Sequence, residues 1–156
     1  MNKIVPEKIH LNRINIFKSN MNGTQEFLDS PVEAEEIRVG YSQESGFNLE
    51  KKLVRIRLYI QIEGYRRKKP LGLQGEYGIE FLFIVENLEE YIESQKQPQN
   101  KNNKELYMVS SILGSTLMGI VYSTARGIIL ERTHGSYFRG VILPVINPND
   151  LLKANK

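Results

Sequence analysis

The chain has 156 residues, of which 40% are hydrophobic and 25% charged; this balance is typical of one globular domain and excludes a disordered chain. It contains no cysteine, which excludes disulfides and thiolate zinc sites and fits a reducing cytoplasm. The net charge of +3 is too small to indicate nucleic-acid binding unless the charge is concentrated in one place. The N-terminus has no continuous apolar stretch, so we expect no secretory signal.

The first half of the chain predicts four strands that precede any long helix and are linked by hairpins. Residues Ile9–Phe17 alternate between apolar and polar with one skipped step, which predicts a bulged strand, and residues 19–31 predict a turn-rich loop. Glu35–Tyr41 alternates again. The strictest alternation, Leu53–Glu63, predicts an antiparallel strand with one wet face, and Leu71–Val85 predicts a glycine-kinked fourth strand.

The second half predicts helices. Asn87 is a suitable N-cap for a short helix, and the polar residues 94–104 predict a flexible connection. A long helix is expected from about Lys104 to Thr133, followed by an extended stretch and a short helix opened by Asn149 or Asp150.

This order predicts an α+β fold, in which a four-stranded antiparallel sheet is followed by a long helix and a short C-terminal helix. We expect a single domain over residues 1–156. The stretch Leu106–Ala125 has no charged residue, so a helix there must be covered all round. Six Ser or Thr residues in this stretch argue against a membrane span, and close packing on other protein is the preferred interpretation.

Enzymatic chemistry has little support in the sequence. His10 and His134 are far apart and lack metal-ligand spacing, and no phosphate loop or activated nucleophile is present. Gly72, Gly75 and Gly78 lie within a strand pattern, where bulges are the better explanation. We therefore expect no enzyme activity, no metal and no cofactor.

Two binding hypotheses remain open. The basic cluster Arg66–Lys69, with Tyr59, Tyr65, Arg55 and Arg57 nearby, permits a nucleic-acid-binding module, although Glu63 shares that face. The second hypothesis rests on surplus apolar residues in loops, which either plug the ends of the core or line a groove for apolar chain segments. These residues are Phe27, Leu28, Tyr137, Phe138, Val141, Ile142 and Leu143.

Two segments carry a resemblance to a known family. IVYSTARGIIL (Ile120–Leu130) is similar to the aromatic-x-x-Ala-Arg stretch in the main helix of the SecB family of export chaperones, and LPVINPNDLL (Leu143–Leu152) to the family's Leu-x-Pro-Val-Asn-Phe segment. Here Ile146 intervenes before Asn147, and Pro148 stands where the family has an aromatic residue. In order and spacing, nearly the whole chain resembles this family.

The resemblance implies a nucleotide-independent holdase that binds unfolded proteins in apolar grooves. It also implies a cytoplasmic homo-oligomer in which two subunits join their sheets and two such dimers sandwich their long helices into a tetramer. The client-binding residues it implies are Phe27, Leu71 and Phe138, and the surplus of apolar loop residues adds Tyr137 and Leu143. We expect the oligomer interface at Leu113, Gly114, Leu117, Met118 and Val121.

The chain also departs from the family. Better-known members dock on the export motor ATPase through an acidic sheet face and a C-terminal tail. This chain has Lys18, Asn22 and Gln74 where acidic residues are expected, and it closes on the basic LLKANK. The motor is therefore left open as a partner, and a chaperone of a toxin–antitoxin system is a further interpretation.

Overall fold

A single antiparallel sheet forms the centre of the computed structural model, which describes residues 3–95 and 106–154. Its strands are β1 (Ile9–Gly23), β2 (Glu36–Asn48), β3 (Leu53–Arg66) and β4 (Lys69–Val85), in the order β1-β4-β3-β2. Hairpins join β2, β3 and β4. The expected hairpin between β1 and β2 is wrong, because β1 pairs with β4 and the chain crosses over through a short helix, α1 (Gln25–Asp29).

Strand β1 is longer than its alternation indicated. The skipped step is confirmed as a register shift between Leu11 and Arg13, and a second shift follows between Ile16 and Lys18. Residues 19–23, expected to be loop, pair with the first half of β4. Their polar side chains hid the strand because β1 is an edge strand, which exposes both of its faces more than a central strand does.

The basic cluster lies at the tip of the β3–β4 hairpin. Arg66 and Lys69 are a cross-strand pair, so Arg67 and Lys68 form a two-residue turn. Both have left-handed backbone angles, with φ of 50° and 62°. This is the pattern of a type I′ turn, whose twist matches that of the flanking strands.

A second, two-stranded ribbon precedes the long helix. Strand β5 (Ile92–Gln95) pairs with β6 (Leu106–Val109), and a 3₁₀ turn at Leu88–Tyr91 connects β4 to β5. The expected flexible connection at 94–104 falls outside the described residues except for 94 and 95, which are strand. The expected helix start at Lys104 is wrong, because residues 106–109 pair with β5 before the helix begins.

The long helix α2 (Ser111–Thr133) packs on one face of the sheet, and α3 (Pro148–Lys153) packs back on α2. Helix α3 begins at Pro148, before the expected start at Asn149 or Asp150, since Asn147 caps it by accepting a hydrogen bond from the Asn149 amide. The α+β architecture is confirmed. Helix α2 is long and apolar enough to cross a membrane, but many core helices are too. Eight of its side chains are buried: Leu113, Leu117, Met118, Val121, Tyr122, Ala125, Ile129 and Thr133.

Candidate functional site

Four of the five expected client-binding residues meet at the hairpin-tip end of the sheet. The ring of Phe27 on α1 lies edge-to-face with that of Tyr137, at 5.5 Å between centroids. Phe138 and Leu71 both approach the same backbone point on β3, Gly64, where a Cβ would lie 3.5 Å and 3.6 Å from them. Leu143 is not part of this group; it is buried beside α2.

The accessible part of this cluster differs from the residues that the sequence singled out. Phe27 and Phe138 are buried and form its floor. Around them Tyr137 is 43% exposed, Leu28 58% and Val32 38%, and Leu71 is half-buried. We refer to Leu28, Val32, Leu71 and Tyr137 as the apolar patch. Val32 was missed because a lone apolar residue in a loop has no periodicity to mark it.

Helix α1 is held in place by a close backbone approach to β4. The Thr24 amide donates to the Gly72 carbonyl over 2.8 Å, and the Thr24 hydroxyl caps α1 by accepting from the Phe27 amide over 3.3 Å. Gly72 has φ of +79°, and a Cβ there would lie 2.3 Å from the Thr24 hydroxyl oxygen. Glycine at position 72 therefore permits both the positive φ and the close approach of Thr24, which together orient Phe27 and Leu28.

The crossover segment links the hairpin to the residues that follow α2. The Ala34 amide donates to the Tyr137 carbonyl over 3.1 Å, and the Glu35 amide donates to the Tyr65 carbonyl over 2.9 Å. These two bonds fix three pieces of chain that are remote in sequence. The apolar patch is thus built on hydrogen-bonded backbone.

Charged groups surround the tip of the hairpin. Arg66 Nε lies 3.5 Å from Glu35 Oε1, and its Nη1 donates to the Glu33 carbonyl over 3.2 Å. Arg139, next to Phe138, pairs with the Glu33 carboxylate at 3.3 Å. The Arg67 amide donates to Glu35 Oε2 over 3.2 Å. The crossover carboxylates therefore connect the basic tip to the edge of the apolar patch.

The two segments that carried the family resemblance contact each other. Arg126 Nε donates to the Leu143 carbonyl over 3.0 Å, and the Tyr122 hydroxyl donates to the Pro144 carbonyl over 2.5 Å. Burial raises the pKa of Tyr122, which keeps this hydroxyl protonated as a donor. Residues 141–147 therefore run back along α2 as an extended strap, and Leu143 belongs to it.

The residues expected at the oligomer interface lie inside the subunit. Leu113, Leu117, Met118 and Val121 are at most 1% exposed, and Leu152 of α3 covers Gly114. The opposite side of α2 presents Ile112, Ser123, Gly127 and Leu130, all exposed and none charged. This outer helix face, rather than the buried one, is available to a neighbouring subunit.

The sheet face that α2 leaves open carries two ion pairs, and Arg55 is exposed there without an ion-pair partner among the described residues. Arg57 pairs with Glu80 at 2.7 Å, which raises the Arg57 pKa, and Lys18 pairs with Glu76. The Tyr59 hydroxyl donates to Glu44, and the Tyr59 ring is edge-on to Phe17. A depression of about 350 Å³ beside Tyr59 is shallow and mixed in charge. Paired carboxylates and occupied rings are a poor surface for stacking bases.

The two histidines lie in separate, solvent-exposed places. His10 Nε2 lies 2.8 Å from Glu86 Oε1, and both side chains are half exposed. His134 follows the last turn of α2, where its amide donates to the Leu130 carbonyl. Within residues 3–95 and 106–154, no three His, Asp or Glu side chains are grouped so as to hold a metal ion.

Comparison with known proteins places this fold. No family model matches the chain, and no curated protein sequence matches it. Among solved structures, the chain is similar to a SecB-like chaperone of Mycobacterium tuberculosis, which was solved in complex with a ChAD peptide from the HigA1 antitoxin. The TM-score is 0.55 and the sequence identity 8%, and the match covers 90% of this chain and 91% of that chain. A Streptococcus agalactiae protein of unknown function matches with a TM-score of 0.39 and 9% identity, over 88% of this chain and 97% of that chain. The fold is therefore SecB-like, as the resemblance implied.

Proposed function

We propose that this protein is an ATP-independent holdase, and not an enzyme, that binds apolar segments of unfolded polypeptides at the apolar patch. The observation that carries the proposal is the patch itself, in which three exposed apolar side chains surround a buried aromatic floor at one end of the sheet. Exposed apolar clusters of this kind commonly mark binding sites. The M. tuberculosis neighbour, which has a SecB-like fold and was solved with a bound peptide, supports the same function.

Binding draws on apolar burial and needs no chemical step. Each Å² of apolar surface removed from water stabilises the complex by roughly 25 cal/mol. Leu28 and Tyr137 are accessible side chains set on a hydrogen-bonded backbone, so little ordering accompanies binding. A site of this kind discriminates weakly among apolar sequences, which suits a protein with many clients.

The proposal includes self-association of the chain in the cytoplasm. Within the described part of the chain, no strand pairs with the outer edge of β1, and Leu11, Ile14 and Met21 are exposed on this strand. In the dimer, strand β1 of a second copy pairs with this edge and covers it. Two such dimers then pack the outer faces of their α2 helices against each other, which gives a tetramer. Protein export and a toxin–antitoxin system are both contexts in which such a chaperone acts, and the export motor ATPase is a candidate partner in the first.

The test is suppression of aggregation of a denatured model protein at near-stoichiometric ratio. We expect the wild type to protect, and Leu28→Ser with Tyr137→Ser to lose most protection, since each buried side chain is worth about 1.5–3 kcal/mol and 1.4 kcal/mol is tenfold in affinity. The control is Leu49→Ser, because Leu49 is similarly exposed in the β2–β3 turn at the other end of the sheet. Equal protection by all three proteins contradicts the proposal.

A further inference from the structure

We propose that the site selects apolar client segments that are flanked by acidic residues. The inference rests on the proposed holdase function and names the class of client that the site prefers. It comes from the juxtaposition of the apolar patch with the basic hairpin tip, two features that the sequence presents separately. The crossover segment at residues 33–35 joins them through the hydrogen bonds and ion pairs described above.

The charges at the hairpin tip do not balance. Helix α1 carries two exposed carboxylates, Glu26 and Asp29, on either side of Phe27 and Leu28, so the positive surplus is confined to the tip. Two of the basic side chains are matched, since Arg66 faces Glu35 and Arg139 faces Glu33. The next carboxylate along the crossover, Glu36, is taken up by Arg38. Among the residues that the structure describes, no carboxylate lies within ion-pair distance of the three remaining basic side chains at the tip. These are Arg67, Lys68 and Lys69, all exposed.

The surplus charge has a defined position relative to the patch. The tight turn at Arg67 and Lys68 leaves the tip little freedom, and Arg66 and the Arg67 amide anchor it to the crossover. Lys69 is two residues from Leu71, a member of the patch. Two residues of a strand span about 7 Å. This distance is comparable to the Debye length of about 8 Å at physiological ionic strength, so the positive charge of the tip acts on a segment bound at the patch.

The geometry defines where the acidic residues of a client fall. An extended client advances about 3.3 Å per residue. A carboxylate within a few residues of the apolar core therefore comes within reach of Lys68 and Lys69 while the core occupies the patch. Complementary charges at the rim of an interface act mainly on specificity and on the rate of encounter.

A polypeptide fits this surface better than a nucleic acid does. Base stacking needs open aromatic faces beside the positive charge. The guanidinium of Arg38 covers the Tyr65 ring, 3.8 Å from its centroid, and Tyr137 is engaged edge-to-face with Phe27. The aliphatic members of the patch, Leu28, Val32 and Leu71, suit apolar side chains.

The experiment measures binding of labelled peptides by fluorescence anisotropy. Three peptides share one apolar core and differ only in their flanks, which are Asp-Asp, Ser-Ser or Lys-Lys. We expect the Asp-flanked peptide to bind about 3–10-fold more tightly than the Ser-flanked one at low salt, from two or three exposed charge pairs. The Lys-flanked peptide binds more weakly than either, and the differences shrink at about 0.5 M salt, where screening is strong.

Charge removal at the tip gives the matched variant. Lys68→Gln with Lys69→Gln replaces each ammonium by a neutral polar group on a side chain one bond shorter. We expect it to remove most of the preference for Asp flanks, with Arg67 accounting for the remainder, while affinity for the Ser-flanked peptide is unchanged. Lys51→Gln is the control, since Lys51 is exposed in the β2–β3 turn far from the patch, and it retains the full preference.

Each contrary result is distinct. Binding of all three peptides with equal affinity, a preference for Lys flanks, or an unchanged preference in the double variant overturns this inference and leaves the holdase function standing. Failure to bind any peptide, together with no suppression of aggregation, overturns both. A competition experiment uses single-stranded RNA or the unlabelled Ser-flanked peptide to displace the labelled Asp-flanked peptide. Displacement by RNA at the lower concentration of the two identifies the tip as a nucleic-acid site and also overturns the inference.

Discussion

Gly72 shows how one residue positions the candidate site. Its left-handed backbone and missing side chain allow Thr24 to reach the carbonyl of residue 72 and to cap α1. Helix α1 has only five residues, too few to be stable without such contacts. The orientation of Phe27 and Leu28 therefore depends on a glycine on another strand.

We expect Gly72→Ala to lower the free energy of unfolding by about 2 kcal/mol or more. The left-handed conformation costs a residue with a Cβ roughly 1–2 kcal/mol, and crowding against Thr24 adds to this. Chemical denaturation measures the change. The control is Gly40→Ala, where a Cβ has no heavy atom within 4 Å. This variant should have a midpoint denaturant concentration at least as high as that of the wild type. A Gly72→Ala variant as stable as this control contradicts the prediction.

Among the elements, the strap at residues 141–147 depends on α2 for its hydrogen bonds. Thr133 is fully buried at the end of α2; its hydroxyl donates to the Ile129 carbonyl and accepts from the Val141 amide over 2.6 Å. Arg126 and Tyr122 continue the attachment along the helix. The strap forms no strand, so side chains replace the ladder that would otherwise satisfy its backbone.

We expect Thr133→Val to destabilise the fold by about 1–3 kcal/mol, because it leaves the buried Val141 amide without an acceptor while conserving shape. Amide hydrogen exchange is the sharper measurement, since the Val141 amide should lose protection. Thr133→Ser retains the hydroxyl and should retain slow exchange at Val141. Equal exchange in the Val and Ser variants is the result that argues against this role.

At the scale of the whole molecule, the uncovered surfaces explain why the chain is expected to self-associate. Ile112, Ser123, Gly127 and Leu130 form an exposed, uncharged helix face. Small residues there let a second helix approach closely, as in obligate interfaces whose cores are depleted in charge. The buried face of the same helix already serves the core of its own subunit.

We expect Ser123→Arg with Gly127→Arg to reduce the size of the oligomer, from a tetramer to a dimer, because charges placed on the outer face of α2 are buried unpaired if helices meet there. Light scattering coupled to size-exclusion chromatography measures the mass. Gln61→Arg, on the open face of the sheet, should leave the mass unchanged. A wild type that is a folded monomer at micromolar concentration refutes the tetramer.

Local sequence signals were sufficient to predict the α+β class, the four strands, the bulge after Leu11 and the end of α2, because alternation and capping can be recognised in a single chain. It also indicated Phe27, Leu71 and Phe138 through a resemblance to a family of known fold, and Tyr137 as a surplus apolar residue in a loop. These features require no knowledge of which elements are neighbours.

Three features became evident from the three-dimensional fold alone: the pairing of β1 with β4, the burial of Leu113 and Leu117 within the subunit, and the approach of the basic tip to the apolar patch. A uniformly apolar helix does not reveal which side faces its own sheet, because hydrophobicity marks burial without naming the partner. The tip and the patch meet through contacts between residues remote in the chain, such as Glu33 with Arg139. Such contacts depend on topology, and periodicity carries no information about them.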